Sequence, residues 1–462
     1  MNNAFIINEQ SIWDTLKAAT DHDATRIREI LAKGRELKGI DPEEIAILAS
    51  VSDPELIAEM FDTARYVKDT IYGKRLVVFA PLYISNLCAN ECLYCAFRVR
   101  NKEVKRRVLT QEEIAQETRI LIDQGHKRML LVAGESYPKR GFQYILDSIA
   151  TVYSVKHNNG EIRRVNVNIA PLTTDEFRQL KEARIGTYQI FQETYHRETY
   201  GKVHLSGKKA DYDWRLTAID RAMEAGIDDC GIGVLFGLFD WRFELLALMQ
   251  HIRHLEAACG VGPHTISVPR LEPATGSTIA EQPPHPVTDF DFRKIVAILR
   301  IAVPYTGIIM STRETPNLRR ETFALGVSQI SAGSRTNPGG YAEDEKADMS
   351  QFSLGDHRSL DEVICDVASL GYVPSFCTGC YRLGRTGGDF MDLAKPGDIK
   401  HHCDPNAAST FQEYLEDYGT PQSREIGEKT IETFIVNMDE LGAKRSRTMV
   451  NKVKKGKRDV YC

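Results

Sequence analysis

Three cysteines fall on one short stretch, Cys88-Ala-Asn-Glu-Cys92-Leu-Tyr-Cys95. Thiolate is the usual protein ligand of iron–sulfur clusters. Three thiolates on one loop can each hold one iron of a 4Fe–4S cubane, which leaves the fourth iron open to a small chelating ligand. A structural zinc site is normally closed by four ligands, so an open trio favours the cluster. A second open trio follows far downstream: Cys377-Thr-Gly-Cys380, then Cys403 after 22 residues. Here His401 or His402 offers a fourth ligand, and a Cys3His zinc knuckle competes with a second cluster. Cys230, Cys259 and Cys365 stand alone in apolar segments and read as small buried hydrophobes. Cys462 reads as a free thiol, and the pair His251 and His254, in a helical stretch without acidic partners, as surface.

Both trios need elements to position them. The first 75 residues alternate charged and apolar positions at helical spacing. Eight short β-rich runs follow, most of them separated by amphipathic helical stretches: 76–86, 128–135, 165–171, 187–194, 231–238, 264–273, 307–314 and 327–334. Eight strand–helix repeats are the pattern of an α/β fold of the (β/α)8 TIM-barrel type, whereas a doubly wound open sheet rarely reaches eight regular units. The expected organisation is a helical N-terminal extension (1–75), the barrel (76–340) and a mostly helical C-terminal extension carrying an auxiliary cluster (341–462). Within that last part, 377–403 is Gly-rich and reads as loop, 410–442 as two helices, and the basic run from Lys444 as a solvated tail.

The barrel assignment sorts the chemistry by face. Cys88, Cys92 and Cys95 follow the first strand, at the C-terminal mouth where barrel active sites lie. Ala133-Gly134-Glu135 ends the second strand, Glu193 the fourth, and Ser311 and Arg313 the seventh; Arg215 opens the helix after an insertion. Tyr83 and Arg270 also sit late in their strands, where long side chains either serve the site or fill the barrel end. His264 instead begins the sixth strand and belongs at the opposite mouth, roughly 20 Å away for a full strand. Imidazole is a sound ligand for iron there; a capping or core histidine is the other reading.

Composition sets the bounds. The chain has 462 residues, 42% hydrophobic and 27% charged, with a net charge of -5. This is ordinary for a soluble globular protein and suggests no nucleic-acid or membrane partner. No run of about 18 apolar residues is present to span a bilayer, and the N-terminus does not read as a signal peptide. The expected location is cytoplasmic, where clustered cysteines mean metal or redox chemistry rather than disulfides.

The C-x3-C-x2-C spacing, with aromatic Tyr94 before the last cysteine, resembles the radical SAM superfamily. The resemblance implies that the open iron chelates S-adenosylmethionine (SAM) and that SAM cleavage yields a 5′-deoxyadenosyl radical. It implies that Ala133-Gly134-Glu135 matches a Gly-Gly-Glu element that receives the SAM amino group, with Ala replacing the first Gly. Glu193 then binds the ribose and Arg215 the SAM carboxylate, since a carboxylate accepts from hydroxyls and a guanidinium grips a carboxylate with two bonds. The C-x2-C-x22-C trio extends the resemblance along the whole chain to the HydG-type tyrosine lyases of iron–iron hydrogenase maturation. This implies cleavage of the tyrosine Cα–Cβ bond to p-cresol and dehydroglycine, with Ser311 and Arg313 holding the tyrosine carboxylate. It implies further a second 4Fe–4S cluster with a labile fifth iron, ligated by His264 and free cysteine, where carbon monoxide and cyanide collect. The implied partners are a reduced ferredoxin- or flavodoxin-type electron donor and hydrogenase maturation scaffold proteins. Two rivals stand beside this reading: a tyrosine lyase that stops at dehydroglycine, as in thiazole and thiamine synthesis, and a non-catalytic iron–sulfur scaffold.

Overall fold

In a computed structural model, residues 6–20, 23–137, 140–343 and 349–462 are described. Eight parallel strands close a barrel in chain order: β1 (Arg75–Ser85), β2 (Arg128–Ala133), β3 (Arg164–Asn168), β4 (Tyr188–Gln189), β5 (Cys230–Gly233), β6 (Thr265–Ser267), β7 (Gly307–Met310) and β8 (Val327–Ser331). Pairing of Val77 with Gln329 between β1 and β8 completes the closure. The eight expected strands are all present, and most are shorter than their apolar runs. A two-residue hairpin at Lys156–His157 and Gly160–Glu161 is added outside the barrel.

The helices begin where local chemistry starts them. Asp41, Thr110, Thr173 and Ser359 each form a capping box with the glutamate three residues on, so two otherwise unpaired amides per helix end are satisfied. Pro42 and Pro54 occupy first-turn positions, where a missing N–H costs nothing. The four N-terminal helices, Glu9–Ala18, Ala24–Gly34, Pro42–Ser50 and Pro54–Tyr72, pack onto the outer helices of the barrel. Buried Lys294 fastens this layer by donating to the carbonyls of Ala49 and Val51 at 2.9 and 2.7 Å.

The C-terminal region departs from expectation. A ninth strand, β9 (Val373–Ser375), pairs with the first three residues of β1 below the closed barrel. The stretch 377–403 is mostly helical rather than loop, with Gly379–Arg382, Gly387–Ala394 and the start of Lys400–Asp417. Its glycines lie at turns such as Gly384 and Gly397, whose positive φ needs them. Three long helices follow instead of two, the last being Glu440–Lys454. The basic run is therefore helix, and its end is tied down: Ser409 Oγ donates to the Val460 carbonyl at 2.8 Å and Asp459 pairs with Arg382. Pro405 lacks the N–H that would bond the His401 carbonyl, and Arg445 of the last helix donates to that carbonyl at 3.0 Å. Among the described residues no helix is long and apolar enough to cross a membrane.

One buried acid in this scaffold sets a pH dependence. Glu244 is 1% exposed and accepts from the Tyr195 amide and the Thr194 hydroxyl. Burial raises its carboxyl to about 8 despite those bonds. The native state keeps this proton from about pH 4.5 to 8 while the unfolded chain releases it, so stability falls as pH rises through that window. Glu244→Gln removes the slope, and its gain in melting temperature over wild type is expected to be larger at about pH 8 than at about pH 5. An equal difference at the two pH values would refute the assignment.

Candidate functional site

A single cavity at the C-terminal mouth is lined by Cys88, Cys92 and Cys95 together with Tyr94, Ala133, Gly134, Glu135, Glu193, Arg215, Ser311 and Arg313. Residues spread over more than two hundred positions are thus brought to one site. The cysteine loop is moulded around Arg106, whose guanidinium donates to the carbonyls of Asn86, Phe97, Arg98 and Asn101 at 2.6–3.2 Å. Gly134 lets the end of β2 lie against this loop, because a Cβ there would come within 2.1 Å of the Leu87 carbonyl oxygen. The alanine in place of the first expected glycine is accommodated, since Ala133 packs into the hydrophobic core. Tyr94 is held by a 2.8 Å hydrogen bond between its hydroxyl and His204 Nε2.

The charged side chains form one network. Arg215 donates to Glu135 at 2.9 Å, to the Phe191 carbonyl at 2.6 Å and to Glu193 at 3.4 Å. Lys209 donates to Glu193 at 2.6 Å, and Asn90 Nδ2 to Glu135 at 2.7 Å. Burial opposes ionisation of Glu135, but the Arg215 and Lys209 charges and two hydrogen bonds outweigh it and hold the carboxyl below its usual range. Glu193 adopts φ 73°, a left-handed conformation that a non-glycine residue keeps only where its surroundings enforce it. Burial pushes all three thiols up, Cys95 to about 11 with Cys88 adding to the effect. Thiolates here lack cationic compensation beyond Lys209, and the irons of a cubane would supply it. Among the described residues no group of three or more His, Cys, Asp or Glu side chains is gathered closely enough to hold a single metal ion.

Sequence reasoning missed Lys209 and Asn90. Lys209 lies in a Lys-Lys run that looks solvated, and nothing in its spacing marks it. It also missed Gln351, which accepts from the Tyr83 hydroxyl at 2.7 Å and donates toward Cys95 Sγ at 3.8 Å. Tyr83 lines the cavity. Arg270 is structural: it pairs with Glu314 and donates to the Val287 carbonyl at 2.9 Å. His251 is buried rather than at the surface, bonded through Nδ1 to the Tyr195 hydroxyl at 2.8 Å.

A second cavity opens at the N-terminal mouth, lined by Cys377, Cys380 and Cys403 with His264, Asp229, Arg75, Arg128 and Arg385. β9 delivers Cys377, whose carbonyl accepts from Arg128 at 2.9 Å. Cys403 sits in the first turn of Lys400–Asp417. A hydrogen bond from Cys380 pulls Cys403 down and raises Cys380, and nearby arginines reinforce the drop at Cys403. The electropositive wall suits thiolates and the sulfides of a cluster. Neither alternative histidine lines this cavity: His402 Nδ1 is 3.0 Å from Arg385, and the His401 side chain is 60% exposed beside Asp439. His264 does line the cavity, with its ring against Phe390 at 4.2 Å between centroids.

The sequence matches the radical SAM superfamily over residues 82–249 and the biotin and thiamin synthesis associated domain over 267–373. It is 32% identical over 347 residues to 2-iminoacetate synthase of Escherichia coli K12, covering 74% of this chain and 88% of that protein. A crystal structure of HydG, a maturase of the FeFe-hydrogenase, superposes with a TM-score of 0.96 at 48% identity, covering 99% of this chain and 100% of the other. HydG from Carboxydothermus hydrogenoformans gives 0.84 at 41% identity, covering 96% and 97%.

Proposed function

The chain belongs to the radical SAM superfamily, among the HydG-type maturases, and on that premise we propose that it cleaves tyrosine at the upper mouth and divides the two-carbon product at the lower. It is a radical SAM lyase, and the observation that carries the finer reading is the pair of open cysteine trios at opposite ends of one barrel. When bound, the upper cluster and SAM supply a 5′-deoxyadenosyl radical at the expense of one electron from a ferredoxin- or flavodoxin-type donor. Tyrosine then separates into p-cresol and dehydroglycine, with atoms conserved. A second electron and a proton quench the cresol radical, replacing the hydrogen taken by the deoxyadenosyl group. Dehydroglycine divides without redox change into hydrogen cyanide, carbon monoxide and water.

The chain's own residues bind and orient. Arg313 offers a guanidinium to the tyrosine carboxylate and Ser311 a single hydroxyl bond. The Phe352 ring, 3.3 Å from the Arg313 guanidinium carbon, backs that group with its π face. Glu135 and Glu193, held in place by Arg215 and Lys209, present acceptors to SAM, and the Arg215 guanidinium is the group offered to the SAM carboxylate. At the lower mouth Cys377, Cys380 and Cys403 would hold the second cluster. His264, with free cysteine, would hold the iron that leaves with carbon monoxide and cyanide for a hydrogenase maturation scaffold.

The test is to incubate reduced, anaerobically reconstituted protein with SAM, tyrosine, ferrous iron and cysteine. The expected products are 5′-deoxyadenosine, p-cresol, carbon monoxide and cyanide. Absence of p-cresol overturns tyrosine cleavage. p-Cresol and dehydroglycine without the two diatomic products leave a lyase that stops halfway.

A further inference from the structure

We propose that Asp229 is the residue that aims His264 at the departing iron, an inference that rests on the ligand role given to His264 above. Both residues stand one step before neighbouring parallel strands. His264 N donates to the Cys230 carbonyl at 2.8 Å, and the Asp229 carbonyl accepts from the Tyr188 amide at 3.1 Å. The backbone therefore fixes both at the floor of the barrel, and both line the lower cavity. The Asp229 side chain is only 2% exposed, and its Oδ2 lies 3.5 Å from His264 Nδ1. That nitrogen and both Asp229 oxygens are buried without a hydrogen-bond partner.

A buried carboxylate with no donor is costly to keep. No ion pair within 4 Å joins Asp229 to Arg75, Arg128 or Arg385 of the same cavity among the described residues, and Arg128 donates to the Cys377 carbonyl instead. Among the described residues, the basic group that comes within 4 Å of this carboxylate is the imidazole of His264. A metal-bound histidine commonly gives its second ring N–H to a carboxylate, which fixes the tautomer, turns the ring and raises the basicity of the ligating nitrogen. With the proton on Nδ1 facing Asp229, Nε2 carries the free lone pair. Phe390 packs against the same ring and restricts rotation about the side chain. Tightening of the 3.5 Å contact then accompanies ligation, and Asp229 acts through His264 without touching the iron.

The experiment measures iron, not turnover. Reconstituted wild type, His264→Ala, Asp229→Asn and Asp229→Ala are dialysed against graded ferrous iron with cysteine present, and iron per chain is counted. Wild type is expected to approach about nine irons, two cubanes and one more, while His264→Ala stays at about eight. Asp229→Ala is expected to bind the ninth iron about 10- to 100-fold more weakly while retaining the other eight. Asp229→Asn keeps an acceptor without the charge and should fall between, and it serves if the alanine variant does not fold. If His264→Ala loses the ninth iron but both Asp229 variants bind it as wild type does, the positioning role is overturned. If His264→Ala itself keeps the ninth iron, the ligand reading fails instead.

Discussion

Replacing Cys377 and Cys380 together with serine is expected to leave p-cresol formation in place and to lower carbon monoxide and cyanide by about a hundredfold or more. The size follows from what is lost, since removing even outer partners of a metal ligand costs about 10- to 100-fold. A serine hydroxyl is not ionised at neutral pH and cannot replace a thiolate at iron. The side chains barely change in volume, so β9 and the helices beneath it keep their packing. The upper trio shares no lining residue with the lower cavity, and so its chemistry has no reason to stop. Quantifying p-cresol by chromatography and the two diatomics by trapping gives the ratio. A parallel fall of all three products would show that the two mouths are not separable in this way.

Arg215→Ala is expected to damage both the fold and SAM binding. The side chain is buried at 4% exposure, and it bonds Glu135, Glu193 and the Phe191 carbonyl at once. Removing it leaves two buried carboxylates that share Lys209 and Asn90. Breaking a buried ion pair by deleting one partner costs about 3–5 kcal/mol, and denaturant midpoints under anaerobic conditions would register it. Glu135 should also lose part of the cationic field that keeps it ionised. The apparent affinity for SAM is expected to drop about a hundredfold, with Arg215→Lys intermediate because a point charge replaces a fork. A stability loss under about 1 kcal/mol, the range of a surface ion pair, would sink this account.

Much of this was legible before the structure, for a physical reason. Chemistry that depends on ligand spacing is local in sequence, so the two trios could be read directly. Barrel topology then assigned each strand end to a face, which placed Glu135, Glu193, Ser311, Arg313 and His264 without any contact being known. What escaped detection depends on distant contacts. Lys209 matters because a loop folds it under Glu193, and Gln351 because a segment far downstream reaches Tyr83 and Cys95. The helices of 377–403 were masked by glycines that serve turns between short elements. Strand β9 was hidden because three residues following a helix carry too little pattern to separate strand from turn.

The eleven residues of β1 serve three neighbours: β2, β8 and, on the lowest residues, β9. The loop leaving its top carries Cys88, and the strand paired to its foot leads into Cys377. A chain ended before Val373 would bare the amides and carbonyls along that foot, an open template for unwanted pairing. The spacing between the two cysteine trios is for the same reason a rigid length, unable to stretch or contract unless the whole barrel deforms.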